Sequence, residues 1–119
     1  MNRLLFVEDD ESNRVALAAL LEDEGFKVDS TPSFEEASRL LRAASASYDA
    51  VLLDQTLSDG WGTNLIPLVR SVLPKAKVLV LSGTVVSPTT LDEADGALPK
   101  GVYFPDLVAR LRRLLAEPR

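Results

Sequence analysis

Short unbroken apolar runs alternate along this chain with longer segments whose apolar residues recur at helical spacing. Leu4-Leu5-Phe6-Val7 reads as a buried strand, and Ser12 through Glu24 as an Ala- and Leu-rich helix, with Gly25 at its C′ position. Phe26–Ser30 alternates apolar and polar residues, the period of a second strand. Ser33-Phe34-Glu35-Glu36 matches a capping box, with Ser33 at the N-cap and Glu36 at N3. The helix it opens carries Ala37, Leu40, Leu41 and Ala44 on one face. Ala50–Leu53 is a third strand, residues 58–62 are a loop by composition, and a helix through Leu65, Leu68, Val69 and Val72 ends before Pro74. Val78–Leu81 is a fourth strand. Ala97–Pro99 is a short fifth, ending in a proline that restricts its pairing. Pro105 suits N1 of a last helix. Its inward stripe is Leu107, Val108, Leu111, Leu114 and Leu115, while Arg110, Arg112 and Arg113 turn away from the centre.

Strand–helix alternation of this kind demands right-handed crossovers and a parallel α/β sheet covered on both faces. The length suits one domain, residues 1–119, with one core. The weakest link is Gly83 to Asp95, where a helix after Pro88 has room for about two turns and is expected to be short or irregular.

Composition removes whole classes of chemistry. There is no cysteine and no histidine, so thiolate zinc sites, imidazole ligands, Ser-His-Asp triads and a phosphohistidine of the chain's own are all excluded. A net charge of −5 argues against a nucleic-acid surface, which needs a basic stripe. The apolar run after Met1-Asn2-Arg3 is too short for a signal peptide, and no stretch approaches the ~20 apolar residues of a membrane span. The expectation is a soluble cytoplasmic protein with no nucleic-acid or membrane partner.

The chemistry gathers at strand ends. Glu8-Asp9-Asp10 follows the first strand, Asp54 the third, Ser82 the fourth and Lys100 the fifth. In a parallel sheet all of them lie along the carboxyl edge, where open α/β sheets bind ligands. Carboxylates that must stay ionised together need a cation. Mg²⁺ takes one or two protein carboxylates, waters and substrate phosphate oxygens, and Glu8, Asp9 and Asp54 fit that requirement. Glu8 to Glu11 also suit the amino end of a helix, and Asp54 also suits a structural cap of the following loop. Ser82 also reads as an ordinary strand-end hydroxyl and Lys100 as a solvated lysine. It is their joint placement that points to a site for a hard divalent cation and a phosphoryl group.

The chain resembles the receiver domain of bacterial two-component response regulators (CheY-like) over essentially its whole length. The segments that carry the resemblance are Phe6 to Arg14, Asp49 to Gly62, Val78 to Gly83 and Gly96 to Lys100. The resemblance implies a flavodoxin-like, doubly wound five-stranded parallel sheet of order 2-1-3-4-5. It implies that Asp54 is the phosphoacceptor and attacks a phosphohistidine on a sensor histidine kinase or a histidine phosphotransfer protein. Asp9 and Asp54 would then ligate Mg²⁺, Glu8 would assist through water, and the backbone carbonyl of Thr56 would complete the protein ligands. Ser82 would hydrogen-bond a phosphoryl oxygen, and Lys100 would pair with Asp54 or its phosphate. The implied role is that of a signalling phosphoacceptor rather than an enzyme, acting as a free-standing regulator or as the receiver of a hybrid histidine kinase. Such chemistry needs charge neutralisation and positioning more than covalent help.

Two departures from the family pattern bear on output. Gly101 replaces the proline that usually follows the strand-five lysine. A cis bond before a non-proline residue costs ~2.5–4 kcal/mol, so the loop is expected to be trans or to rely on glycine's freedom. Ala97 occupies the place of the family's switch aromatic. Phosphotransfer is therefore expected to be intact, and output through the fourth helix and fifth strand altered.

Two rival readings remain. One is a pseudo-receiver that acts as an unphosphorylated protein-interaction module, against which stands the complete set Glu8, Asp9, Asp54, Ser82 and Lys100. The other is an aspartyl-phosphate phosphatase, against which stands Thr56, where such enzymes need a second carboxylate. For partner docking, Leu17, Ala18 and Leu21 of the first helix are candidates, and core packing suits each equally. Trp61, between glycines beside Asp54, either packs against the domain, shields the site or contacts a partner. Thr56 and Thr84 flank the expected path of hydrolytic water.

Overall fold

The computed structural model of the chain describes residues 2–43, 47–83 and 87–118. Its elements begin with β1 (Arg3–Val7), α1 (Glu11–Asp23), β2 (Lys27–Thr31), α2 (Phe34–Arg42) and β3 (Ala50–Asp54). A small hairpin of β4 (Thr56–Leu57) and β5 (Gly60–Trp61) comes next, then a 3-10 turn over Gly62–Leu65 that continues as α3 (Ile66–Val72). The chain closes with β6 (Lys77–Ser82), α4 (Pro88–Glu93), β7 (Gly96–Pro99) and α5 (Phe104–Ala116). The five longer strands form one parallel sheet in the order β2-β1-β3-β6-β7, which is 2-1-3-4-5 among those strands. Strand order reverses between β1 and β3, and ligands of open α/β sheets sit above such a reversal.

The three central strands are buried along almost their whole length, as their uninterrupted apolar runs require. Alternate residues feed two cores. Leu5, Val7, Val51, Leu53, Val78 and Val80 pack with Ala37 and Leu41 of α2 and Val69 of α3. Leu4, Phe6, Leu52, Leu79 and Leu81 pack with Leu21 of α1 and with Leu107, Leu111 and Leu114 of α5. Each buried Leu or Val side chain contributes roughly 1.5–3 kcal/mol. A one-residue slip of register would exchange the two faces, so the register of β1 against β3 is strongly held. The positions of the strand-end polar residues are held with it.

Helix ends follow the capping chemistry legible in the sequence. Asp10 is the N-cap of α1, its Oδ1 accepting from the Ser12 and Asn13 amides at 3.0 and 3.4 Å. Asp10 is thus a cap, the bland alternative for that part of the acidic run. Ser33 caps α2, its hydroxyl accepting from the Glu36 amide at 3.1 Å. α4 is six residues long, opened by Ser87 and Pro88. Its far end is tied to α3: Arg70 donates to Glu93 O at 2.6 Å and to Asp95 Oδ2 at 3.1 Å, and Asp95 also accepts from the Val78 amide at 2.7 Å.

Several expectations need correction. Within the stretch expected as a loop, Ser58 and Asp59 are the turn of the β4–β5 hairpin but Gly60–Trp61 pair as its second strand, and Asp59 accepts from the Phe34 and Glu35 amides at 2.8 and 3.2 Å. The second strand lies one residue later than the alternation suggested, since Lys27 pairs with Arg3. Pro105 stands one place inside the first position of α5, which is Phe104. Leu21 is not a docking residue: it is fully buried in the α1–α5 core. Ala44 and Thr84 lie outside the described residues.

Candidate functional site

The acidic end of β1 meets the acidic end of β3 because the two strands are neighbours and in register, Val7 opposite Leu53. Glu8 and Asp54, the next residues, are 4% and 3% exposed, while Asp9 is exposed. One carboxylate oxygen from each of Glu8, Asp9 and Asp54 lies within 4.8 Å of the others. The backbone ties of Glu8 hold this corner. Its amide donates to Thr31 O at 3.0 Å and its carbonyl accepts from the Arg14 guanidinium at 2.9 Å.

Lys100 reaches the same carboxylates from the end of β7. Its ammonium donates to Asp54 Oδ2 at 2.7 Å and stands 3.4 Å from Glu8 Oε1. The Lys100 amide donates to Ser82 O at 2.8 Å, which fixes the turn leaving β7. Gly101, the next residue, has φ +79°, the left-handed region that glycine enters without penalty, and no cis peptide occurs among the described residues. The turn that carries Lys100 therefore does its work through glycine's freedom, as the departure from proline suggested.

Electrostatics mark the site. Burial pushes the Glu8 carboxyl up to about 7, helped by a hydrogen bond with Asp54 and by its charge, against the pull of Lys100 and the Asp10 amide. Burial draws Lys100 down, but its hydrogen bond to Asp54 and the charges of Asp54 and Glu8 outweigh this and leave the ammonium above its ordinary value. Two buried carboxylates beside a single ammonium are short of positive charge. A hard cation held by Glu8, Asp9 and Asp54 would supply it, so the donor set fits Mg²⁺.

Behind Asp54 the chain makes room for this geometry. Thr56 N–H donates to Asp54 Oδ1 at 3.2 Å, so both carboxylate oxygens have a donor. Gly62 packs on the backbone of Asp54: a Cβ there would lie 1.8 Å from the Asp54 carbonyl oxygen. Gly62 N–H also donates to Gln55 O at 2.9 Å, closing the hairpin onto the end of β3. Trp61 is 57% exposed, so it is not packed into the domain.

The structure thus brings Glu8, Asp9, Asp54, Thr56 and Lys100 together. Ser82, buried at the end of β6, is engaged otherwise: its hydroxyl donates to Gln55 Oε1. Gln55, Asp59 and Arg14 escaped the reading of the sequence as site residues. For Gln55 a clue was available, since an amide directly follows a buried strand and a carboxylate. A cleft of about 350 Å³ opens beside the site between α1 and the start of α5, lined by Glu8, Leu17, Leu20, Lys100 and Phe104. A larger cavity of about 570 Å³ lies at the opposite edge, between Tyr48, Leu73, Lys77 and Leu115, and holds none of the site residues.

Comparison with known proteins agrees with this geometry. The family model for the response regulator receiver domain matches residues 4–112. The probable transcriptional regulatory protein SilR of Salmonella typhimurium is 36% identical over 117 residues, covering 95% of this chain and 50% of SilR. The chain spans about half the length of the curated relatives it matches. The response regulator TrrA of Thermotoga maritima, solved with Mg²⁺ and BeF, matches with a TM-score of 0.85 at 28% identity, over 96% of this chain and 99% of TrrA. TrrA in complex with the histidine kinase ThkA matches with the same TM-score and identity, over 98% of this chain and 100% of TrrA.

Proposed function

This chain belongs to the response regulator receiver family of two-component signalling, and from that premise we propose that Asp54 is its phosphoacceptor. The observation that carries the assignment is the contact of the Lys100 ammonium with Asp54 Oδ2 at 2.7 Å, inside a cluster completed by Glu8 and Asp9. In the transfer, a carboxylate oxygen of Asp54 forms a bond to phosphorus. The bond from phosphorus to the partner's imidazole nitrogen breaks, and its electron pair stays with the imidazole. Bound Mg²⁺ would neutralise charge on the phosphoryl oxygens, held by Asp9 and Asp54, with Glu8 assisting through water and the Thr56 carbonyl as a further ligand. Lys100 supplies the positive charge that the protein itself contributes, and orients the carboxylate.

The domain spans residues 1–119 and works as a signalling phosphoacceptor that promotes only its own phosphorylation and dephosphorylation. Its donor is a histidine kinase or histidine phosphotransfer protein in the cytoplasm. Among the described residues no helix is long and apolar enough to cross a membrane. For docking, Leu20 is the exposed large apolar residue of α1 that lines the α1–α5 cleft, and that side of the helix is the contact face we assign. Ala97 is half-buried on β7, and the end of α4 is pinned through Arg70. Both support an output that differs from the usual aromatic switch, with phosphotransfer intact.

The test is phosphate incorporation from acetyl phosphate. Wild type incorporates phosphate with Mg²⁺ and not with chelator, and Asp54→Asn incorporates none. Label retained in Asp54→Asn, or indifferent to chelation, overturns the assignment.

A further inference from the structure

Arg14 closes the first turn of α1, near the helix end that carries a partial positive charge and disfavours cations. Its half-buried side chain turns back past the N-cap and donates to Glu8 O at 2.9 Å. Among the described residues it makes no ion pair, although Glu8, Asp9, Asp10 and Glu11 all precede it within six positions. An arginine that follows four acids and yet bonds a backbone carbonyl is fixing a peptide, not neutralising a carboxylate. That peptide joins Glu8 to Asp9, the two acids that the end of β1 brings to the cluster. The Glu8 amide is tied to Thr31 O at 3.0 Å, and the guanidinium ties the carbonyl on the other side of the same residue. Rotation of the 8–9 peptide would swing Asp9, whose exposed side chain gains no restraint from packing.

We infer that Arg14 is a positioning residue for Mg²⁺: by fixing the peptide between Glu8 and Asp9 it presets both carboxylates, and it raises metal affinity although its own charge opposes a cation. This rests on the reading of Glu8, Asp9 and Asp54 as the acids that hold the ion. Mg²⁺ demands near-ideal octahedral geometry, so its affinity is sensitive to where those oxygens point. Groups that orient metal ligands are typically worth 10–100-fold in affinity, and one that acts through the backbone belongs at the lower end, about tenfold. Charge and positioning therefore push in opposite directions. Removing a nearby cation should tighten Mg²⁺ binding, whereas releasing the peptide should weaken it.

The experiment is a Mg²⁺ titration of the unphosphorylated protein at fixed ionic strength, followed by amide NMR shifts, on wild type, Arg14→Met and Arg14→Lys. Arg14→Met keeps an aliphatic stem and removes donor and charge together. The expected result is about tenfold weaker Mg²⁺ binding by Arg14→Met. Arg14→Lys should lose less, because its shorter, single-pointed ammonium keeps the charge and can still donate. A merely structural role would lower the urea midpoint and leave the Mg²⁺ dissociation constant of the folded protein unchanged. Equal or tighter binding by Arg14→Met overturns the inference. Should Arg14→Met fail to fold, Arg14→Lys decides: weaker binding supports the role, and wild-type affinity overturns it. Wild type that binds no Mg²⁺, or Asp9→Asn that binds it equally well, sinks the ligand assignment and the role of Arg14 together. Wild-type binding that needs Asp9 but is indifferent to Arg14→Met sinks the role of Arg14 alone.

Discussion

The Lys100 ammonium lies 2.7 Å from Asp54 Oδ2, although 46 residues separate them in sequence. The carboxylates it serves are buried, whereas the Lys100 side chain is 36% exposed. Lys100→Met, which retains the aliphatic stem, should therefore cost on the order of 1 kcal/mol in urea unfolding at neutral pH. That lies above a typical surface pair and below a fully buried one. The same substitution should slow phosphate incorporation from acetyl phosphate, and stability should partly recover when Asp54 is also changed to Asn. Full stability in Lys100→Met alone would show that the contact contributes nothing to the fold.

Gly62 is expected to tolerate no side chain. A methyl group at 1.8 Å from the Asp54 carbonyl cannot be accommodated by a rotamer change, because the obstruction is backbone. Gly62→Ala should destabilise by roughly 2–3 kcal/mol and reduce phosphorylation together, as the end of β3 and the hairpin shift apart. Thermal unfolding and incorporation from acetyl phosphate, measured on one preparation, check both. A stable Gly62→Ala with normal incorporation would contradict the packing described.

At the opposite edge of the sheet, Tyr48 OH donates to Asp29 Oδ2 at 2.8 Å, and the Arg3 guanidinium pairs with the same oxygen at 2.9 Å. Burial, the Asp29 hydrogen bond and the Asp29 charge push the Tyr48 phenol up to about 12 from 10.0. A phenol whose folded value is raised favours the neutral form. Its stabilising contribution is complete below the unfolded value and is lost as pH rises through the folded one. Wild type should thus lose stability between pH 10 and about 12. Tyr48→Phe should be less stable near neutrality by about 1–2 kcal/mol but lack that alkaline phase. Parallel urea midpoints across the alkaline range decide it, and identical pH profiles would refute the coupling.

On α1, Leu20 is 46% exposed and lines the cleft that also contains Lys100, whereas Val15 lies outside that lining. Leu20→Asp should cut transfer from the phosphohistidine donor roughly tenfold, the usual scale for one interface anchor. Incorporation from acetyl phosphate should be unaffected, since the small donor needs no docking face. Equal loss with both donors would assign Leu20 to the fold rather than to the partner.

Much of this architecture was legible because hydrophobic runs and their breaks speak directly. The three central strands carry uninterrupted apolar runs, Leu4–Val7, Ala50–Leu53 and Val78–Leu81, and those runs end at Glu8, Asp54 and Ser82. Register then carries the acids together without any further signal. Less legible were features that depend on a distant backbone. Asp59 reads as a loop residue until the amino end of α2 is seen beside it. Leu21 and Leu20 are indistinguishable by type, and only the rotation of α1 sends one into the core and the other to solvent. α1 has several apolar residues on more than one face, so periodicity alone could not choose between them. Gln55 carries a local clue in following a buried strand and a carboxylate, but nothing local links an amide at 55 to a hydroxyl at 82 on another strand.

Trp61 is the single tryptophan of the chain, and it sits on β5, paired with Thr56 two residues beyond the acceptor. An indole so placed, 57% exposed and on a strand paired with the residue two places beyond Asp54, is an intrinsic fluorophore. Its emission is expected to change when Mg²⁺ and then beryllofluoride are added to the unlabelled protein, and an unchanged spectrum would show that the hairpin does not sense the site.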